Sequence, residues 1–191
     1  MNTITHVMLQ VINAFDALGV EYVVVGSVAS SARGFPRTTN DADIVADLRP
    51  EHADALLARL HDDFYVDADA VARAIDRHRS FNAIHHGSGF KVDVFVPAPD
   101  GFGRQQLARR AKEYLDPEKP EPVFVATAED VVIAKLDWFR ASGSTSDRQW
   151  HDLVGVIKVQ ALDIDRAYLR RWAVSLGLSE LLERALAETN D

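Results

Sequence analysis

Residues 23–48 read VVVGSVASSARGFPRTTNDADIVADL, and the fold is inferred first from this stretch. The three valines at 23–25 are β-branched and predict a short buried strand. Gly26 and Ser27 follow at once, before a predicted short helix. A Gly-Ser turn between a strand and a helix presents free backbone N–H groups at the positive end of the helix, which suits phosphate. The stretch therefore predicts a phosphate-binding turn.

A pair of aspartates follows this turn. Thirteen residues separate Ser27 from Asp41-Ala42-Asp43, which opens a second apolar run. Side chains at positions i and i+2 project from the same face of a strand, so Asp41 and Asp43 are expected to be neighbours. Two like charges held that close repel unless a cation lies between them, and a divalent metal is the usual cation. The phosphate-binding turn and the aspartate pair together indicate metal-dependent nucleotide chemistry.

A third carboxylate lies further along the chain. Residues 80–96 predict a β-hairpin with a Gly-Ser-Gly turn. Asp93 lies in its second strand, FKVDVFV, and points away from the valines on either side of it. If this strand pairs with the predicted strand 42–48, Asp93 joins Asp41 and Asp43 on one face.

The remaining pattern predicts an α/β fold of the α+β type. A small mixed β-sheet flanked by helices is expected over residues 1–120, and a helical C-terminal subdomain over residues 121–191 is expected to pack on this core. The proline-rich segment LDPEKPEPVFVAT marks the boundary. Helices are predicted over residues 5–18, 27–33, 50–60, 69–77, 128–140, 147–160, 164–176 and 179–187.

Composition limits the functional classes. The 191 residues carry no cysteine, which excludes disulfide scaffolds, thiolate nucleophiles and Cys-zinc sites. No stretch is long and apolar enough to cross a bilayer, and a cytoplasmic location without membrane contact is expected. A net charge of −8 argues against a broad nucleic-acid footprint. The basic residues Arg104, Arg109, Arg110 and Lys112 predict either a local polyanion contact or, more simply, a solvated helix face.

These motifs resemble those of a known superfamily. Gly-Ser, a spacer, D-x-D and a distant third carboxylate are similar to the nucleotidyltransferases of the DNA polymerase β type. The extension GFPRTTNDAD resembles the bacterial minimal, abortive-infection-toxin-like branch. ATAEDVVIAKL, followed by Arg-x-x-x-Asp at 148–152, also resembles that branch.

The resemblance implies a reaction and its residues. It implies transfer of a nucleoside monophosphate from an NTP such as ATP to an acceptor hydroxyl, with release of pyrophosphate. Asp41, Asp43 and Asp93 would be the catalytic residues and the ligands of two Mg²⁺ ions, with Asp93 accepting the proton of the attacking hydroxyl. Gly26 and Ser27 would hold the β- and γ-phosphates. The acceptor stays open among a protein, a tRNA 3′ end and a small molecule such as an antibiotic, and a toxin–antitoxin partner is a further possibility.

Two cationic side chains are nucleotide-binding candidates. Arg37 lies close enough to the D-x-D motif for its guanidinium to reach triphosphate oxygens, although it could instead cap the loop or pair with Asp41. Lys135 falls inside the apolar arc of its predicted helix, so it must either snorkel out or reach a buried anion. The resemblance favours a phosphate contact for Lys135.

Other interpretations remain open. Arg148 and Asp152 are spaced i, i+4, and an exposed ion pair explains them more simply than a place in the site. The chain could also be a non-catalytic nucleotide-binding or antitoxin-like interaction module. A structural α/β domain with coincidental aspartates is a third interpretation, and it predicts that the three carboxylates lie far apart.

Overall fold

The chain folds into two compact units. The computed structural model describes residues 3–115 and 122–189. The first unit comprises residues 1–25 and 38–126, and the second comprises residues 26–37 and 127–191. The predicted boundary at residue 120 lies outside the described residues, so the packing of a C-terminal subdomain on a core stays a prediction.

The first unit is built on a mixed sheet. Within the described residues its seven strands are β1 (Tyr22–Val25), β2 (Asp41–Ala46), β3 (Phe64–Val66), β4 (Ser80–His85), β5 (Lys91–Phe95), β6 (Ala111–Glu113) and β7 (Val123–Val125). Their order in the sheet is β3-β4-β5-β2-β1-β7-β6. The pairs β2–β5 and β1–β7 are parallel and the remaining pairs are antiparallel. The predicted mixed sheet and the predicted hairpin are both confirmed.

Nine α-helices accompany the strands in the described ranges. They are α1 (Ile4–Leu18), α2 (Gly26–Arg33), α3 (Ala53–Leu60), α4 (Ala68–Arg77), α5 (Phe102–Arg109), α6 (Ala128–Ala141), α7 (Asp147–Val159), α8 (Arg166–Leu176) and α9 (Ser179–Glu188). The helix predicted over residues 50–60 begins as a 3₁₀ turn, Pro50–His52, before α3 continues it. Thr127 caps α6, as its side chain accepts a hydrogen bond from the backbone N–H of Asp130.

The two faces of the sheet differ in chemistry. Alternation along β2 and β5 places Ile44, Val92 and Val94 on one face, where all three are fully buried. Helix α1 contacts both strands, and its buried Phe15 contributes to the core of this unit. The aspartates of β2 and β5 alternate with these residues and therefore occupy the opposite face.

The second unit consists of α2 and the four C-terminal helices. Helix α7 contacts α2, α6 and α9, so it is central to the unit. The loop after α2 lies tight against α7. A Cβ atom added at Gly34 would stand 2.8 Å from the backbone N of Val156, and one added at Gly155 would stand 2.9 Å from the ring of Phe35. Two glycines therefore allow this approach.

The three shortest strands were not predicted, and helix α5 was predicted only as one of two interpretations of the basic segment that follows residue 100. Strands β3, β6 and β7 each have three residues, and helix α5 starts after Gly101 without a side-chain cap. A three-residue strand has too few positions to show alternation, and its existence depends on partners distant in sequence. Local patterns therefore contain little information about these elements.

The glycine contact predicts an asymmetric response to alanine. Gly34→Ala should lower the free energy of unfolding by about 1–3 kcal/mol, because its Cβ meets backbone atoms that cannot move alone. Gly155→Ala meets the half-exposed ring of Phe35 and gains about 1 kcal/mol of helix propensity, so it should change stability by less than about 1 kcal/mol. Urea unfolding followed by far-UV circular dichroism measures both. Equal losses in the two variants would contradict this packing.

Candidate functional site

The three candidate carboxylates share one face of the first unit's sheet. Strands β2 and β5 are parallel, with Asp43 opposite Asp93 and Asp41 opposite Lys91. Neighbouring strands lie about 4.8 Å apart, so these side chains are immediate neighbours. A structural domain with coincidental aspartates predicts carboxylates far apart, and the register contradicts that expectation. We call this set (Asp41, Asp43 and Asp93) the carboxylate face.

Polar side chains surround the carboxylate face. Thr39 Oγ1 donates to Asp41 Oδ1 at 2.5 Å, at the exposed end of β2. The Asp93 side chain is only 15% exposed. Its Oδ2 lies 2.8 Å from Lys91 Nζ, and its Oδ1 accepts a hydrogen bond from Asn82 Nδ2 on the neighbouring strand β4. Both oxygens of Asp93 therefore contact donors of the protein itself.

The donor chemistry of this face suits Mg²⁺, but the side chains are not arranged as a metal cage. Carboxylate oxygens are the ligands that Mg²⁺ prefers. Within residues 3–115 and 122–189, however, no group of three His, Cys, Asp or Glu side chains is arranged to hold a metal ion. The contacts of Asp93 with Lys91 and Asn82 give a physical reason, because they direct both its oxygens to donors on β5 and β4.

The predicted phosphate turn lies in the second unit. Gly26 begins α2 with φ +60°, a left-handed conformation that a residue with a Cβ adopts only at a cost. Ser27 is buried in the first turn of this eight-residue helix. Its Oγ accepts a hydrogen bond of 2.5 Å from Arg37 Nη2. The backbone N–H of Arg37 donates to Ser31 Oγ at 3.3 Å, which fixes the loop back onto α2.

Asp152 joins the two predicted cations. Arg37 Nε and Nη2 donate to its two oxygens at 2.9 Å and 3.1 Å, and Lys135 Nζ lies 2.7 Å from its Oδ2. Arg37 comes from the loop after α2, Lys135 from α6 and Asp152 from α7. We call Arg37 and Lys135 the cation pair, and Asp152 the bridge between them. These three side chains form one charged cluster beside Ser27, whose Oγ accepts from Arg37.

The ionisation of Asp152 follows from this arrangement. Burial alone raises the pKa of a carboxyl, but here the hydrogen bonds from Arg37 and Lys135, together with their charges, outweigh burial and hold the pKa of Asp152 below its ordinary value. The side chains of Asp152 and Lys135 are each only 4% exposed, so this ion pair is buried.

These contacts decide several sequence-based alternatives. Lys135 does not snorkel out, since it is buried and has an anionic partner. Arg37 makes its bidentate pair with Asp152, 115 positions away. The expected exposed pair of Arg148 with Asp152 is wrong, because the carboxylate of Asp152 is buried and accepts from the two other cations while Arg148 is exposed.

The basic segment after residue 100 contacts the first unit's own acids and aromatic rings. Arg104 Nη1 lies 2.7 Å from Asp47 Oδ1, and Arg110 Nη2 lies 2.7 Å from Glu21 Oε1. The guanidinium of Arg110 also lies 4.8 Å from the ring centre of Phe124. These contacts favour the structural interpretation of the segment over a polyanion site.

Two polar residues at the carboxylate face were missed from the sequence. Lys91 and Asn82 both contact Asp93. The alternation Lys-Val-Asp in β5 contained a usable signal, because residues two apart on a strand share a face. Asn82 needed the hairpin register, in which it lies directly opposite Asp93.

Solved nucleotidyltransferases have the same fold. ANT(2'')-Ia in complex with adenylyl-2''-tobramycin aligns with a TM-score of 0.59 at 13% identity, over 89% of this chain and 94% of that one. An antigenic nucleotidyltransferase-like protein from Paracoccidioides brasiliensis aligns with a TM-score of 0.53 at 16% identity, over 94% and 91%. The lincosamide antibiotic adenylyltransferase LnuA, bound to lincomycin, aligns with a TM-score of 0.50 at 13% identity, over 83% and 99%.

The chain has a nucleotidyltransferase fold. Identities this low show the fold alone. No protein-family model and no curated protein sequence matches the chain. In the described part of the chain, no helix has the length and apolar character needed to span a membrane.

The bridged cation pair predicts a pH-dependent stability. The stabilisation from Asp152 is fully present above the ordinary carboxyl pKa of about 3.9, and it is lost as the pH falls through the lower pKa of the folded state. Asp152→Asn should therefore lower the free energy of unfolding by about 3 kcal/mol at pH 7, because the buried Lys135 ammonium loses the negative charge of Asp152. Below about pH 4 the difference from the wild type should shrink.

Urea unfolding between pH 3 and pH 7 measures this difference. Glu183→Gln is the matched control, since Glu183 pairs with Arg170 at the surface and the two side chains are 54% and 56% exposed. Its unfolding midpoint should stay at the wild-type value. A pH-independent loss in Asp152→Asn would contradict the ionised bridge.

Proposed function

We propose that this protein is a magnesium-dependent nucleotidyltransferase. It transfers a nucleoside monophosphate from an NTP to an acceptor hydroxyl and releases pyrophosphate. The observation that carries the proposal is the register of β2 and β5, which aligns Asp43 with Asp93 on the face that also bears Asp41. The nucleotidyltransferase fold supports it independently.

The carboxylate face is proposed to hold two Mg²⁺ ions through Asp41, Asp43 and Asp93. When bound, such ions supply a lower pKa for the attacking hydroxyl and neutralise charge on the triphosphate. Asp93, the carboxylate on β5, is the proposed acceptor of the hydroxyl proton. Its hydrogen bond from Asn82 orients the carboxylate.

The second unit is proposed to bind the phosphates of the donor. Backbone N–H groups at Gly26 and Ser27 begin α2, where the helix dipole favours an anion. Arg37 and Lys135 contribute two cationic groups, the kind of side chain with which phosphate oxygens pair. In this account Asp152 is a positioning residue that holds both cations in place.

The proposed reaction forms one O–P bond and breaks one O–P bond. The acceptor oxygen attacks the α-phosphorus, the new O–P bond forms, and the bond from the α-phosphorus to the bridging oxygen of pyrophosphate breaks. The hydroxyl proton passes to Asp93. Positioning and charge neutralisation account for the rate, as no covalent enzyme intermediate is needed.

The finer assignments belong to the same proposal. The GFPRTTNDAD motif favours the bacterial minimal branch of the DNA polymerase β type. A cytoplasmic location is a separate part of the proposal. ATP is the first donor to test, because ANT(2'')-Ia is bound to an adenylyl product and LnuA is an adenylyltransferase. We propose small molecules as the first acceptors to test, because those two structures contain adenylyl-2''-tobramycin and lincomycin. Transfer to tRNA and to proteins, one of which would be a toxin–antitoxin partner, is tested after them.

A matched pair of aspartates on one strand tests the proposal. Asp43→Asn should reduce nucleotidyl transfer at least about 100-fold, because it removes a proposed metal ligand at the centre of the face. Asp47→Asn should retain activity within about threefold. Asp47 follows the same strand, but it pairs with Arg49 and Arg104 at the sheet's other end.

The assay is release of pyrophosphate together with transfer of label from α-labelled NTPs. Aminoglycosides, lincosamides, tRNA and total cell protein serve as separate acceptors, each with Mg²⁺ and with EDTA. Calorimetry with Mg²⁺ and each NTP, compared with the transfer assay, distinguishes the rival, because a non-catalytic nucleotide-binding module binds an NTP without transferring it. Equal activity of Asp43→Asn and the wild type, or the absence of Mg²⁺–NTP binding, would contradict the proposal.

A further inference from the structure

Lys91 is the one cationic side chain that the described strands β2, β4 and β5 place on the carboxylate face. It lies two residues before Asp93 on β5, directly opposite Asp41 on β2 and Ile84 on β4. Its Nζ approaches Asp93 Oδ2 to 2.8 Å. The neighbour on its β4 side is apolar, so its charge is directed towards the aspartates.

All three carboxylates act on this ammonium group. The pKa of Lys91 is raised chiefly by its hydrogen bond to Asp93, against a smaller opposing effect of burial, and the charges of Asp93, Asp41 and Asp43 add to the increase. Lys91 thus supplies the positive charge that three neighbouring carboxylates need.

The position of Lys91 conflicts with a divalent cation on Asp93. Mg²⁺ binds carboxylate oxygens at about 2.0–2.1 Å, so an ion on Asp93 Oδ2 would lie within a few ångströms of the ammonium. The second oxygen of Asp93 already accepts from Asn82. A charge of +1 and a charge of +2 at such a separation repel strongly even in partly aqueous surroundings.

Lys91 is nevertheless able to move away. Its side chain is 43% exposed and ends a flexible four-carbon stem, so the ammonium can leave Asp93 for solvent. The metal brings the positive charge that replaces that of Lys91, and the phosphates of an NTP add further anionic ligands that hold the metal there.

We propose that Lys91 is a built-in counter-ion that competes with divalent cations for Asp93, so that the carboxylate face binds its metals tightly only together with a nucleotide. The inference rests on the proposed function, since it assumes that Asp93 is a metal ligand. It adds a residue that sets the order of binding: Lys91 occupies the face first, and metal and nucleotide displace it together.

Binding of Mn²⁺ to the full chain tests this inference. Electron paramagnetic resonance of free Mn²⁺ gives the affinity without nucleotide and without any assay of activity. Lys91→Met should bind Mn²⁺ about tenfold more tightly than the wild type, as the competing charge is gone. Lys91→Arg keeps the charge and should stay within about threefold of the wild type.

Lys112→Met is the matched control for net charge. Lys112 is exposed on β6, four strands from β5 in the sheet order, and its removal changes the total charge equally. It should leave Mn²⁺ affinity within twofold, because charges that far apart are screened by salt. With a non-hydrolysable ATP analogue present, the advantage of Lys91→Met over the wild type should narrow to less than threefold. Lys91→Gln replaces Lys91→Met if the latter does not fold.

The outcomes separate this inference from the proposed function. The inference is overturned if Lys91→Met binds Mn²⁺ no more tightly than the wild type does. It is also overturned if neither protein binds Mn²⁺ in the absence of nucleotide. Nucleotidyl transfer that depends on Asp43 then still stands on its own assay. Tighter Mn²⁺ binding in Lys91→Met, with no transfer by the wild type, supports the counter-ion and overturns the proposed activity.

Discussion

Repulsion between three like charges is the constraint on which the first unit's site depends. Parallel pairing of β2 and β5 holds Asp41, Asp43 and Asp93 on one face, and their fully buried apolar neighbours on the other face fix that register. A slip of one residue would bury the carboxylates, so the core itself keeps them exposed to a cation. Lys91 supplies one positive charge, and the proposed chemistry requires that stronger cations replace it.

In the second unit, the like charges that lie close together are positive. Asp152 holds two cations, Arg37 and Lys135, together, and the two would repel each other without it. Gly34 lets the loop that carries Arg37 lie against α7, which bears Asp152. Packing and charge thus support each other, and together they hold the cationic Arg37 beside Ser27, in the turn proposed to bind phosphate.

Elements specified by neighbouring residues could be predicted from the sequence, and contacts between distant residues could not. Helix α1, the hairpin and the strand after Asp41 were predictable because periodicity and turn residues specify them within a short window. The pairing of Arg37 with Asp152 spans 115 positions, and no local pattern contains it. The i, i+4 spacing that suggested Arg148 as the partner of Asp152 was misleading, because helix spacing gives possible neighbours but not burial.

The central claim is that the carboxylate face binds divalent metal together with a nucleotide. Crystals grown with MnCl₂ and a non-hydrolysable ATP analogue, measured at the manganese absorption edge, test it most directly. Anomalous peaks are expected within coordination distance, about 2.0–2.6 Å, of Asp41, Asp43 and Asp93, with the Lys91 ammonium moved off Asp93. Nucleotide bound without manganese at these carboxylates, and Lys91 still paired with Asp93, would contradict it.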